Sequence, residues 1–462
     1  MPAKAKPAAK PRPMRVLWFT WEFPPLIAGG LAMACYGMVK ALLKQGVEID
    51  LVLPTREEVY FPLRTPEDAD DLPVVWLDDT RRQQAGFDEL TTMDDRMDAV
   101  GVSDPGDPYD DGQDNTDAMR YYISHITQNF ADYTSDFEEV WDDLSVHLMG
   151  DEDIFRKVQQ FTLRAERFAE KLEYDAIHAH DWLCYAAGMI AKKMSGKPLV
   201  AHIHATEFDR AGGAGNERVH KIEFAGMTYA DIVCAVSRYT AEMIIARYRV
   251  DTGKIRIVHN AFFITDELKD SVRRIFEGTT ILFLGRITLQ KGPEYFLEVA
   301  RRVLSKHPEA RFIVAGSGDM ARKITHQSAR MGLRNRFLFA GFLNRREVEY
   351  IVKASDIYML PSISEPFGIA PLEAMAYGVT AVISKQSGVS EVVQNAYKLD
   401  FWDIAGMVRT INYLIEHPDK RREMGQAGMK EVHAIQWDGA ATKIKEAYEE
   451  VIGDATLPNP SL

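Results

Sequence analysis

Short apolar runs recur along the chain, and between them lie longer stretches in which apolar residues return every three or four positions. That alternation predicts parallel strands covered by helices. In the first half the strand-like runs are RVLWFTW (15–21), VEIDLVLP (47–54), YDAIHAH (174–180), KPLVAHIHA (197–205), DIVCAVS (231–237) and KIRIVHN (254–260). A second set begins at TTILFLGR (279–286) and continues through ARFIVAG (310–316), RFLFAGF (336–342), DIYMLPS (356–362) and VTAVISK (379–385). The architecture this implies is α/β, with two doubly wound domains facing a cleft.

One stretch breaks the rhythm. Residues 65–150 hold 23 acidic and 4 basic side chains, so the rest of the chain is net positive although the whole carries a formal charge of -13. The two ends of that segment, and PGDPYDDGQDNTD within it, follow neither period, whereas AMRYYISHITQNFADY (118–133) reads as a helix. The segment is expected to be a solvated acidic insertion; a lid over the cleft is the alternative. The first thirteen residues, MPAKAKPAAKPRP, are basic and lack the apolar stretch of a signal peptide, which predicts a disordered tail.

Size and composition fit this picture. A chain of 462 residues exceeds one ordinary core and suits two domains of about 200 residues each. With 46% hydrophobic and 27% charged residues, and no uninterrupted run of about 20 apolar ones, it reads as a soluble, cytoplasmic protein. Cys35, Cys184 and Cys234 are scattered among apolar residues with no metal-ligand spacing, as expected of small core hydrophobes in a reducing compartment.

Ligands of doubly wound sheets sit beyond the carboxyl ends of the strands, where loops lead into helix N-termini. After the first strand comes FPPLIAGGLAMACYGMVKALLKQG, in which Gly29 and Gly30 precede an amphipathic helix and let backbone amides approach an anion; a plain tight turn reads equally well. At the start of the second domain, Arg286 and Lys291 flank a loop that runs into Gly292 and a helix opening at Pro293. A guanidinium and an ammonium together suit a diphosphate, although either alone could be a solvated loop charge. The stretch SEPFGIAPLE (364–373) places Glu365 on a loop and Glu373 in the first turn of a helix expected to open at Pro371. Two carboxylates repel a diphosphate and are better suited to accepting hydrogen bonds from sugar hydroxyls. Glu373 alone could merely complement a helix dipole. The one Asp-x-Asp triplet considered as a metal-binding motif, DAD (68–70), lies in the acidic insertion rather than at a strand end.

These segments, with WEFPPLIAGGL, HAHDW (178–182), the His204 segment, VHN (258–260), GRITLQKG (285–292) and VAGSGD (314–319), resemble the retaining GT-B glycosyltransferases. The likeness runs from Met14 to about Val451, the insertion excepted, and is strongest to the glycogen and starch synthases and the large family with a Glu, seven residues, Glu signature. It implies two Rossmann-like domains: residues 14–260 on the acceptor side and 261–434 binding the nucleotide sugar, with a final helix at 435–455 returning to the first. It also implies roles. Glu365 would meet hydroxyls of the donor sugar and Glu373 the nucleotide ribose, while Arg286 and Lys291, with the backbone of Gly29 and Gly30, would hold the diphosphate. Gly316 and Gly368 would lie on the donor side, His204 beside the donor sugar, and Asp181 on the acceptor side; His178 and His180 read as structural. No metal or other cofactor is implied, because the two cations supply the charge.

Two departures qualify the likeness. Bacterial glycogen synthases commonly have a lysine where this chain has Ile27, and they often lose the second glutamate, kept here as Glu373. The tryptophan after HAHD points back toward the synthases. The favoured expectation is glucose transfer from ADP-glucose or UDP-glucose to an α-1,4-glucan. A second is transfer to a small sugar, a sugar phosphate or a surface glycan, and a third, of another class, is a nucleotide-sugar epimerase or a non-catalytic carbohydrate-binding regulator. No nucleic acid partner and no membrane span are expected.

Overall fold

The computed structural model describes residues 12–24, 30–54, 97–101, 153–212, 215–263 and 276–455. The first half forms a seven-stranded sheet from β1 (Arg15–Phe19), β2 (Glu48–Leu53), β3 (Met97–Gly101), β4 (Ala176–His180), β5 (Leu199–Ile203), β6 (Ile232–Ala235) and β7 (Ile255–Ile257). The second forms a six-stranded sheet from β8 (Thr280–Leu284), β9 (Arg311–Ala315), β10 (Phe337–Gly341), β11 (Ile357–Leu360), β12 (Thr380–Ser384) and β13 (Tyr397–Leu399). Every pairing is parallel, in the orders β3-β2-β1-β4-β5-β6-β7 and β10-β9-β8-β11-β12-β13. Each sheet therefore winds in opposite directions from its first strand, and the crevices open beside β1 and β4 in one and β8 and β11 in the other.

All eleven apolar runs become strands, trimmed by up to three residues at their ends. Two strands had no such run to announce them. Met97–Gly101 lies within the acidic segment, and Tyr397–Leu399 is a three-residue edge strand. The expected helix at 118–133 and most of the basic tail lie outside the described residues.

Seven helices position the site: α1 (Gly30–Lys44), α2 (Trp182–Ser195), α3 (Glu207–Ala211), α4 (Arg238–Tyr248), α5 (Pro293–Lys306), α6 (Ile369–Ala376) and α7 (Trp437–Ala455). Local signals set their ends. Pro293 occupies the first turn of α5 behind Gly292, which adopts φ 66°, and Gly196 closes α2 in the left-handed region. Thr206 and Asp209 form a reciprocal capping box at α3.

Parallel sheets bury both faces, which is why their strands read as near-continuous apolar runs. One core of the first half lies under α2; the other gathers Val16, Trp18 and Cys234 beneath α1 and α7. The fit between α1 and α7 is close, since a methyl group on Gly37 would lie 2.2 Å from Cε2 of Trp437. Where the chain passes between the halves, Val258 and Ala261 join the first half's core and Phe262 joins the second's. The three cysteines are free and buried, as expected of core hydrophobes. No helix among the described residues is long and apolar enough to cross a membrane.

Candidate active site

The loops after β8 and β11, the two strands flanking the second sheet's crevice, bring the charged candidates together. Lys291, on the short turn Leu289–Lys291, forms an ion pair with Glu365, whose side chain is buried. Ser362 Oγ adds a 3.3 Å hydrogen bond to the same Glu365 oxygen. The Glu365 backbone is pinned as well: its N–H donates to Gln386 O at 2.9 Å and its carbonyl accepts from Gly388 N at 2.9 Å. Arg286 stands exposed on the same loop as Lys291, with no ion-pair partner among the described residues. An ammonium has three donors, so Lys291 can keep Glu365 and still give a hydrogen bond to a diphosphate.

Glu373 is half-buried on α6, but not where the sequence suggested. The helix opens at Ile369, capped by Gly368 at φ 93°, so Pro371 is its third residue and Glu373 lies past the first turn. A proline tolerates any of the first helical positions, since none of their N–H groups has an intrahelical acceptor; its presence therefore marks the helix start only to within a few residues. Both glutamates lie near Tyr358 on β11. Burial first, and then the Glu365 and Glu373 carboxylates, push that phenol well up, so it stays protonated and donates to Leu284 O at 3.2 Å.

Glycines let these loops approach one another. Gly316 adopts φ 136° with its N–H given to Gly341 O at 2.7 Å, and a Cβ there would lie 1.9 Å from Gly285 O. Gly368 sits against Glu365, where an added Cβ would come to 3.0 Å from Cγ. On the opposite wall Gly30 is the first residue of α1 and has open space where a side chain would project. Gly29 and Ile27 lie outside the described residues.

The first-half wall is built differently. Asp181, at the end of β4, takes φ 56°, a strained value for a residue other than glycine. Its carboxylate accepts from the His204 backbone N–H at 2.7 Å and from Arg210 at 3.3 Å. Arg210 also reaches the buried Glu223 at 3.1 Å. His204 itself is half-buried, and its Nε2 lies 2.9 Å from His180 Nδ1. Behind it His178 Nε2 meets His202 Nδ1 at 3.2 Å, and His178 Nδ1 meets the hydroxyl of Tyr448 on α7. Burial, reinforced by neighbouring imidazoles, lowers the pKa of His178, His180 and His202 well below the usual value. His204 is lowered too, by burial against the opposing pull of Asp181. Two trios, Cys35/His180/His204 and His178/His180/His202, bring potential metal-ligand atoms within 4.8 Å of one another. Within each trio, however, the nitrogens of one histidine pair are already hydrogen-bonded to each other.

Several contacts across the cleft involve residues that sequence reasoning missed. Ser364, beside Glu365, donates to Asp209 of the α3 capping box and meets Tyr239 OH at 3.0 Å. Ser237 caps α4 and also donates to Pro366 O at 2.5 Å. Glu391 accepts from the first two amides of α4, Arg238 N at 2.9 Å and Tyr239 N at 2.7 Å, and from His259 at 2.9 Å. The capping signal S-x-x-T at Ser237 was visible in the sequence; its second partner, 129 residues away, was not.

Comparison with known proteins bears on the fold and the class of enzyme. A model described as "Glycosyl transferases group 1" matches residues 265–431, and one described as "Glycosyltransferase Family 4" matches 129–262. An uncharacterized glycosyltransferase of Methanocaldococcus jannaschii is 26% identical over 83% of this chain and 83% of its own. A glycogen synthase of Mycobacterium tuberculosis is 25% identical over 62% of this chain and 72% of its own. A D-inositol 3-phosphate glycosyltransferase of Acidothermus cellulolyticus is 25% identical over 68% and 74%. Among solved structures, the catalytic domain of starch synthase IV from Arabidopsis thaliana, bound to ADP and acarbose, superposes with a TM-score of 0.65 at 16% identity, covering 96% of this chain and all of that one. The fold is GT-B, and the protein is a hexosyltransferase whose second half is similar to the glycosyl transferases of group 1.

Proposed function

We propose that this enzyme transfers glucose, with retention of anomeric configuration, from ADP-glucose or UDP-glucose to the end of an α-1,4-glucan. The supporting observation is the Lys291–Glu365 pair set at the crevice of the second sheet with Arg286 on the same loop. Breaking the sugar–phosphate bond leaves positive character on the anomeric carbon and negative charge on the departing diphosphate. Fixed cations that meet the growing charge lower the barrier, and no metal is required for that. The acceptor attacks from the face the diphosphate leaves, and a phosphate oxygen takes its proton. Glu365 and Glu373 accept from donor hydroxyls, Gly29 and Gly30 offer backbone to the diphosphate, and Asp181 shapes the acceptor side.

The glucan acceptor rests on the likeness to the glycogen and starch synthases. The D-inositol 3-phosphate glycosyltransferase, about as similar to this chain, favours a small phosphorylated acceptor as the second reading. Radiolabelled ADP-glucose and UDP-glucose, each offered with glycogen, with phosphorylated polyols and with water alone, separate the two. Label entering an ethanol-insoluble polymer with α linkages is the expected result. Transfer confined to a phosphorylated polyol would replace the glucan reading, and label released only to water would overturn both.

A further inference from the structure

The four stacked histidines of the first wall carry more information than their burial. His180 Nδ1 and His204 Nε2 are 2.9 Å apart while their ring centroids are 5.2 Å apart, a separation reached only when both rings point those nitrogens along the line between them. His178 Nε2 and His202 Nδ1 meet in nearly the same way, at 3.2 Å with centroids 5.3 Å apart. A neutral imidazole has one N–H and one lone pair, so each such contact has a donor and an acceptor.

Which nitrogen holds the proton follows from the atoms left over. The Nε2 atoms of His180 and His202 are buried with no partner among the described residues. A buried N–H with no acceptor is rarer and costlier than a lone pair with no donor. In His180, whose Nδ1 faces only the half-buried His204, the bare nitrogen is therefore Nε2 and the proton sits on Nδ1. His180 Nδ1–H donates to His204 Nε2, which leaves the His204 proton on Nδ1, a nitrogen bonded to none of the described residues.

We propose that His180 is a positioning residue that fixes His204 as the Nδ1–H tautomer, so that His204 offers a hydrogen-bond donor, and not a base, to an oxygen of the nucleotide sugar. The lowered pKa values of all four rings agree with this, since a charged imidazole would have no lone pair for its neighbour. Once built, such a chain is ready before substrate arrives and needs no reorganisation during transfer. The inference rests on the reading that His204 lines the donor pocket.

The test uses the full chain labelled with 15N-histidine, with two-bond 15N–1H correlations reading the tautomer of each ring and the His204→Gln spectrum identifying the His204 signals. Wild type is expected to show His204 protonated at Nδ1; protonation at Nε2 would overturn the inference without any variant of His180. In His180→Phe, His204 should become a mixture of tautomers, and kcat should fall about 10-fold while donor KM changes little. His180→Asn, whose amide can still donate, should recover part of the loss. A His180→Phe enzyme with an unaltered His204 tautomer, or with its loss entirely in KM and thermal stability, would reduce His180 to a packing residue. If wild type turns over no nucleotide sugar, the proposed function fails, while the spectrum still decides the tautomer.

Discussion

The two walls of the cleft solve opposite problems. The second-half wall concentrates charge: Arg286, Lys291 and Glu365 stand on loops that glycines allow to crowd together, and Lys291 keeps Glu365 neutralised. The first-half wall ties its charges into one Asp181–Arg210–Glu223 network and faces the cleft with a ladder of neutral imidazoles on and just after β4 and β5, backed by Trp18 and closed by Tyr448 of α7. On the proposed mechanism, the charge that answers a departing diphosphate is held on loops pinned by backbone hydrogen bonds and by the Lys291–Glu365 pair. A neutral donor keeps its direction only if it is buried and hydrogen-bonded from behind. On the proposed mechanism the halves divide the work into electrostatics on one side and fixed orientation on the other.

The largest effect is expected where the neutral wall takes its support. Trp437 is buried against Gly37, and α7 continues from it to Tyr448. Trp437→Ala should cost about 3–5 kcal/mol in denaturant unfolding, the usual range for removing a large buried aromatic. Gly37→Ala, which forces a methyl into the indole, should cost about 1–3 kcal/mol. Both substitutions should also reduce transfer, although neither residue is proposed to touch substrate. A Trp437→Ala protein of native stability would show that the first half stands without the returning helix.

The charged wall is broken next. Lys291→Ala and Arg286→Ala should each lower kcat at saturating donor about 100-fold or more, equivalent to roughly 2.7 kcal/mol of lost transition-state stabilisation. The two should differ in stability. Lys291→Ala strands a buried carboxylate, so adding Glu365→Gln should recover melting temperature without recovering turnover, whereas exposed Arg286 should show no such effect. Near wild-type kcat in either single variant would remove that residue from the mechanism.

This contrast also decides what the sequence could reveal. Arg286, Lys291 and Glu365 could be placed on loops after strands because one loop presents each, Glu373 was placed on the right helix but a turn too early, and the strands were legible because parallel sheets demand apolar runs. The imidazole network was not: His180 meets His204 24 residues away and His178 meets Tyr448 270 residues away, so only the fold shows that those nitrogens face one another. His180 in HAHDW therefore reads as structure, and its bond to His204 appears only in three dimensions. The same holds for Glu391, whose partners Arg238 and Tyr239 lie 153 and 152 residues earlier.

Those cross-cleft contacts supply a finer test of whether the walls must meet. A methyl on Gly388 would fall 2.2 Å from Pro366 O and 2.5 Å from Ser237 Cβ, where the second wall touches the α4 N-terminus. Gly388→Ala should hold the halves apart and lower kcat/KM about 10-fold, or roughly 1.4 kcal/mol. Small-angle scattering with nucleoside diphosphate should then show a larger radius of gyration than wild type. Equal radii and equal activity would mean that this contact is incidental to catalysis.

The smallest effect concerns Glu391 at the same seam. Burial raises its carboxyl, but the hydrogen bond from His259 and those from the Arg238 and Tyr239 amides outweigh that, so its pKa lies below the ordinary value. A carboxyl depressed in the folded state contributes stability above its unfolded pKa, about 4.3 for glutamate, and loses it as the pH falls through the folded value. Glu391→Gln keeps the shape while removing the charge from the N-terminus of α4, which should cost about 0.5–1 kcal/mol at pH 7. The gap between wild type and variant in chemical unfolding should narrow below about pH 4.3, as Glu391 takes up its proton in both states. The variant's radius of gyration at pH 7 should lie between those of wild type and Gly388→Ala. No gap at pH 7 would show that Glu391 acts at this seam by shape alone, and a gap that stays constant down to pH 3 or widens on acidification would show that its titration does not set the effect; in either case the charge holding the two walls together would have to come from elsewhere.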